Sequence, residues 1–259
     1  SKKVRYSILD ELRGLCIFCM IFYHAFYTMS FMFNMKIGKE LFMFFKPVEP
    51  LFAGIFILIS GLCCNLSHSN LKRGLKLLVV ALLLSLVTYF LGKDVFISFG
   101  ILHMLSLCMI LCGLVYNFLK KINPFVGMLI CALFYVLTES VQFGIFGIRS
   151  IFKVYIPKGL YDIGIFFPFG IYNSRFYSAD YFPMFPWMFV FFFGVFFGIG
   201  IFNNKYSLKE YSQYEILKKL VYKDYVPFLS FMGRNSLLIY IIHQPVIYTI
   251  LYFVGLFIQ

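Results

Sequence analysis

Apolar residues run along this chain in long blocks separated by short polar connections. The blocks do not alternate with period two, and several reach the roughly 20 residues that a helix needs to cross hydrocarbon. Seven of them place helices over residues 8–33, 48–66, 73–91, 97–118, 124–141, 182–202 and 235–258. A membrane β-barrel would show shorter, alternating segments instead. The pattern predicts an all-α fold, a polytopic transmembrane helix bundle of about seven helices in a single domain over residues 1–259.

Local signals refine the ends and the connections. Ser7-Ile8-Leu9-Asp10 reads as a capping-box-like start, with Asp10 and Glu11 in the first turn where the helix dipole favours anions. The 142–181 connection holds a short apolar stretch, Ile163–Ile171. Pro168 and the flanking glycines make it a re-entrant or interfacial piece rather than a span. The 203–234 connection carries Lys205, Lys209, Lys218, Lys219, Lys223 and Arg234 and is compatible with a surface helix. Gly194 and Gly198 form a G-x-x-x-G that reads as a close helix-packing face. Pro245 donates no backbone hydrogen bond and crowds the Ile241 carbonyl, so a kink with a freed acceptor is expected there.

Composition agrees with the pattern. Of 259 residues 61% are hydrophobic and 13% charged, whereas a soluble domain is about half apolar and a quarter charged. The apolar block after Arg13 exceeds the roughly 7–15 residues of a signal-peptide core, so it reads as an uncleaved anchor. The net charge of +12 comes from cations placed between apolar blocks. That placement points to anionic lipid headgroups and not to a nucleic-acid partner. Fifteen of the 23 Lys and Arg fall on the N-terminal side of the bundle, among them Lys2, Lys3, Arg5, Lys72, Arg73, Lys76, Lys120 and Lys121. Lys36, Lys39, Lys46, Lys93, Arg149, Lys153, Lys158 and Arg175 fall on the other. This bias predicts a cell-membrane protein with a cytoplasmic N-terminus and, for an odd number of spans, an outside C-terminus. Cys16 and Cys19 form a C-x-x-C inside the first helix, and the other five cysteines also lie in or beside apolar blocks, where Cys behaves as a small hydrophobe. Neither a disulfide framework nor a metal site is expected. Lipid-facing and partner-facing apolar surfaces look alike in sequence, so a homo-oligomer is compatible with the pattern.

Ionisable side chains inside apolar spans are costly, which makes each one a candidate for function. His24 lies eleven residues beyond Arg13 on the first helix, roughly 16 Å deeper at 1.5 Å per residue. His103 and His243 each lie about two turns inside the end of a span, and His243 is followed by Gln244. An interhelical hydrogen bond is the alternative role for each. An imidazole in low dielectric stays neutral, the form that takes a proton from an alcohol or amine. Arg13, Arg73 and Arg234 stand at or near helix starts, where guanidinium forks and positive dipole ends suit phosphate; ordinary topological anchoring is the alternative. Asp180-Tyr181-Phe182-Pro183 leads into Pro186-Trp187. There Trp187 suits an interfacial anchor and Asp180 suits orienting a polar acceptor.

Several of these pieces resemble one family. Leu9-Asp10-Glu11-Leu12-Arg13-Gly14 followed by apolar residues to His24 is similar to the first helix of the transmembrane acyltransferase superfamily. Phe56-Ile57-Leu58-Ile59-Ser60-Gly61, Arg73-Gly74 and Phe99-Gly100-Ile101-Leu102-His103 follow in order. Then come Asp180-Tyr181-Phe182-Pro183, Gly233-Arg234-Asn235-Ser236 and His243-Gln244-Pro245. Together they look like the bacterial family that shares the catalytic domain of heparan-alpha-glucosaminide N-acetyltransferase. The resemblance implies transfer of an acyl group, acetyl above all, from cytoplasmic acyl-CoA to a hydroxyl or amine of an acceptor, usually a sugar, reached from the other side. It implies His24 as the base and Arg13, Arg73 and Arg234 as donor contacts. Asp10 would fix Arg13, and Ser60, His103, Asp180, Trp187, His243 and Gln244 would support the site or line the acceptor side. One departure stands out. The lysosomal enzyme has Asn at the position matching His24 and its proposed catalytic His beyond that helix, whereas residues 34–36 here contain no His. A transporter or flippase of a polar or lipid-linked solute is the alternative, but no paired repeat of interrupted helices is visible. A non-catalytic subunit would leave His24 and the arginines unexplained.

Overall fold

The computed structural model describes residues 6–148, 151–202 and 222–258. Its helices are α1 (Ser7–Phe31), α2 (Lys36–Phe45), α3 (Glu49–Leu62), α4 (Asn70–Leu91), α5 (Ile101–Leu119), α6 (Pro124–Thr138), α7 (Lys158–Asp162), α8 (Met184–Phe202), α9 (Pro227–Arg234) and α10 (Ser236–Ile258). Between α6 and α7 lies one antiparallel hairpin, β1 (Ile145–Ile148) and β2 (Phe152–Tyr155). Seven helical stretches among the described residues are long and apolar enough to cross a membrane: Ser7–Phe31, Glu49–Leu66, Asn70–Leu91, Ile101–Leu119, Pro124–Phe143, Met184–Phe202 and Ser236–Val254. They coincide with the seven apolar blocks. The protein is a multi-pass, all-α membrane protein.

The departures from the sequence pattern have local causes. Ser7 is not a cap: Tyr6 holds the N-cap position without a side-chain bond, and the Ser7 hydroxyl donates to the Tyr222 carbonyl at 3.1 Å. The fifth helix starts at Ile101 rather than at residue 97 because the preceding backbone is engaged elsewhere. The Ser98 and Phe99 amides donate to Ser178 Oγ, at 3.0 and 3.3 Å, and the Ala179 amide donates to the Phe96 carbonyl at 2.8 Å. The stretch Ile163–Ile171 neither spans nor forms an α-helix. It turns through a 3₁₀ segment at Phe167–Phe169, between Gly164 and Gly170 in left-handed conformations. Helix α2 and the hairpin were not foreseen. Residues Lys2, Lys3, Arg5, Arg149, Lys205, Lys209, Lys218 and Lys219 lie outside the described residues, so of the expected surface helix only α9 is seen.

The described residues form two compact units, one from residues 6–56 with 222–258 and the other from 57–148 with 151–202. In the first, α1 and α9 run antiparallel in close contact. A Cβ on Gly14 would fall on the Leu229 carbonyl, and one on Gly233 would fall on the Asp10 carbonyl. Pairing of 14 with 229 and of 10 with 233 sets opposite chain directions. Beside this contact, buried Glu11 accepts the Tyr225 amide at 2.6 Å and the Val226 amide at 3.1 Å. Pro227 begins α9 immediately afterwards, so the carboxylate closes a positive helix end and satisfies donors left open there. Glu11→Ala orphans both amides and is expected to cost about 2–4 kcal/mol. The measurement is the thermal midpoint of the purified protein, and an unchanged midpoint would dismiss the clamp. Helix α2 folds back on α1 through a left-handed Asn34 (φ 51°), and Phe42 packs against Tyr23, Tyr27 and Phe31 with ring centres 5.3–5.7 Å apart.

In the second unit, α4 packs on α5 and α6 on α8. The G-x-x-x-G of α8 is a packing face: a Cβ on Gly194 would strike the Leu58 carbonyl, and one on Gly198 the Asn65 amide group. Asn65 spans that contact, donating to the Leu62 and Val195 carbonyls at 3.0 Å each. Ile57, Met104, Cys108, Cys112, Phe191 and Val195 are fully buried in this unit.

Candidate functional site

Four side chains with hydrogen-bonding groups meet in the first unit. His24 and Thr28 are one turn apart on α1 and therefore share a face. His243 and Gln244 reach them from α10. The imidazoles of His24 and His243 have their centres 5.0 Å apart. Gln244 Nε2 donates to Thr28 Oγ1 at 3.0 Å, and Thr28 is fully buried. His243 is buried as well, with Nδ1 2.6 Å from the Tyr240 carbonyl oxygen one turn earlier on its own helix. A carbonyl only accepts, so Nδ1 carries the hydrogen. Nε2 of the neutral ring then holds a lone pair. That Nε2 and Gln244 Oε1 are buried and have no hydrogen-bond partner among the described residues. His24 is half-buried, and neither of its ring nitrogens takes part in a hydrogen bond among the described residues. Pro245 lies inside α10, which continues past it to Ile258.

A second group of polar residues lies toward the start of α1. Asp10 and Glu11 are buried, and the Arg13 guanidinium stands over the Phe56 ring, 5.8 Å from its centre. This cation–π contact holds the charge without using its donors. Arg13 Nε is buried and lacks a hydrogen-bond partner among the described residues. Arg234, at the end of α9, is more committed: Nε donates to the Ser230 carbonyl at 3.1 Å and Nη2 lies 3.7 Å from Asp224 Oδ2. The Ser230 hydroxyl in turn donates to Asp224 Oδ1 at 2.5 Å.

The remaining candidates belong to the second unit. The Gly100 amide donates to His103 Nδ1 at 3.2 Å, which leaves Nε2–H to donate to Ser85 Oγ, also at 3.2 Å. The Ser85 hydroxyl passes on to the Ile97 carbonyl at 2.6 Å. Both His103 nitrogens are thus occupied in closing the start of α5. Asp180 Oδ2 accepts the Ile101 amide at 3.1 Å at that same helix start. Tyr181 donates to the Phe167 carbonyl at 2.6 Å, and burial pushes its phenol well above the usual range. Trp187 packs against Phe182 and Tyr135, Ser60 is buried, and Arg73 is exposed in the first turn of α4.

Tertiary structure thus joins His24, His243 and Gln244, and places His103 with Asp180 at one helix start. Reasoning from sequence overlooked Thr28, whose i+4 spacing from His24 was a usable signal, and the clamp made by Glu11. It had no means of finding the Tyr240 carbonyl, a backbone group.

Over residues 5–245 the chain matches the family model described as "Heparan-alpha-glucosaminide N-acetyltransferase, catalytic". Comparison with curated proteins and with solved structures finds no match.

Proposed function

Because the chain belongs to the heparan-alpha-glucosaminide N-acetyltransferase catalytic family, we propose that it is a membrane acyltransferase that moves an acyl group, acetyl above all, from cytoplasmic acyl-CoA to a sugar hydroxyl or amine reached from the opposite side. The observation that carries this reading beyond the family is His24: a half-buried imidazole deep in an apolar helix, with both nitrogens open among the described residues. A neutral ring there takes the proton of the acceptor's O–H or N–H as that atom attacks the thioester carbonyl. The C–S bond then breaks, and the proton passes from His24 to the departing CoA thiolate. The balance is acyl-CoA plus acceptor to acylated acceptor plus free CoA.

Arg13 supports the donor side. Its guanidinium keeps an unused buried Nε, and an Arg fork suits phosphate. Arg234 is an exposed cation toward the same end of α1, through the Gly233–Asp10 contact. Along α1 Arg13 and His24 are separated by about 16 Å, a span that an extended CoA arm covers between its phosphates and its thioester.

Acetyl-CoA is expected to raise the melting temperature of the purified protein, because a ligand that binds only the folded state stabilises it by mass action. The rise should shrink in Arg13→Ala. If neither acetyl-CoA nor longer acyl-CoAs shift the midpoint, the acyl-transfer reading is abandoned.

A further inference from the structure

We propose that His243 is a positioning residue whose bare Nε2 receives the N–H of His24, and that the Tyr240 carbonyl thereby sets which His24 nitrogen acts as the base. The inference rests on the acyl-transfer reading only for what the base is used on; the geometry is independent of it. Nδ1 of His243 donates to the Tyr240 carbonyl at 2.6 Å, so Nε2 is an acceptor. Nε2 is buried and unbonded among the described residues, a costly state for a polar atom. Two imidazoles joined by an N–H···N bond of about 2.9 Å have their centres about 5 Å apart, and these two centres are 5.0 Å apart. At that spacing the bond depends on the orientation of the two rings and needs no closer approach of the helices.

Burial divides the roles. His243 Nε2 has no open surface, so an acceptor molecule meets His24 first. The chain then runs in one direction: the acceptor's proton goes to one nitrogen of His24, the other His24 nitrogen donates to His243 Nε2, and His243 Nδ1 donates to the Tyr240 carbonyl. Were His243 in the other tautomer, Nε2–H would donate to His24, and His24 would present a hydrogen where a lone pair is needed. This follows the nucleophile–base–orienter logic of hydrolytic triads, with a backbone carbonyl and a second imidazole in place of a carboxylate. Gln244, tied to Thr28 one turn along α1, holds α10 against the same face.

The test is ¹⁵N NMR of histidine side chains in the purified protein labelled at histidine, with assignment by single-histidine replacement. The expected result is one Nδ1–H tautomer for His243 and one tautomer for His24. In His243→Phe, which keeps a flat ring but removes the acceptor, His24 should become a mixture of both tautomers. His243→Gln, which restores an acceptor, should recover the single form and also covers the case in which the Phe variant does not fold. A mixed His24 tautomer in the unaltered protein, or a single tautomer indifferent to both replacements, overturns the proposal. Acetyl-CoA melting shifts on the same samples separate the two ideas. A normal shift with a mixed tautomer rejects the relay alone, whereas the relay stands on its spectra even where the shift is absent.

Discussion

Acyl transfer is expected to fall by about 10²–10⁴-fold in His24→Ala, the usual contribution of a general base, with the melting shift produced by acetyl-CoA retained. The separation of effects follows from α1 itself. His24 and Arg13 are eleven residues apart, so removing the ring leaves the cationic end about 16 Å away untouched. Alanine is the best helix former and His24 is only half-buried, so the helix persists. Transfer of labelled acetyl from acetyl-CoA into the envelope fraction of cells making the protein measures the loss. Turnover close to that of the unaltered protein would remove His24 from the role of base.

The largest effect on folding is expected from a side chain placed between α1 and α9. Gly14→Val and Gly233→Val each place a Cβ on a facing backbone carbonyl, of Leu229 and of Asp10 respectively. Backbone has no alternative rotamer, so the helices must separate, and the Glu11 bonds to the Tyr225 and Val226 amides lengthen with them. Overpacking and lost hydrogen bonds together are expected to cost about 3 kcal/mol or more. The outcome is read as a lowered melting midpoint and a reduced yield of monodisperse protein. Gly159→Ala serves as the comparison, because a Cβ there meets nothing within 4 Å. Equal midpoints in all three variants would dismiss the close antiparallel contact.

Much of the architecture is visible from residue order alone because a bilayer imposes one rule everywhere: backbone groups must be paired within the segment, so long apolar runs become helices. That rule located all seven spans within four residues, the largest differences falling at the start of the Ile101–Leu119 span and at the end of the Ser236–Val254 span. It failed where backbone is held by distant partners. Phe96–Phe99 stays out of α5 because Ser178 and Ala179 take its hydrogen bonds. The short helix α2 was missed because Lys36–Phe45 is too brief and too mixed to stand out from a loop.

For the site, the same asymmetry holds at the scale of single atoms. Cost marks a buried ionisable group in one dimension, so His24, His243 and Arg13 were identifiable as candidates from their places in apolar blocks, and Asp180 from its place at the mouth of one. Cost says nothing about partners. Only packing separates His103, whose two nitrogens are both spent at the start of α5, from His243, whose ring lies beside His24 with Nε2 left open. Nor does residue order carry the Tyr240 carbonyl, because every residue has one and only helix geometry decides which of them an imidazole meets. The membrane helices and the list of expensive side chains were therefore written in the sequence, where hydrophobicity acts residue by residue. Which of those side chains face one another, and in which direction their protons point, was decided by tertiary structure, because hydrogen-bond direction exists only between atoms already in place.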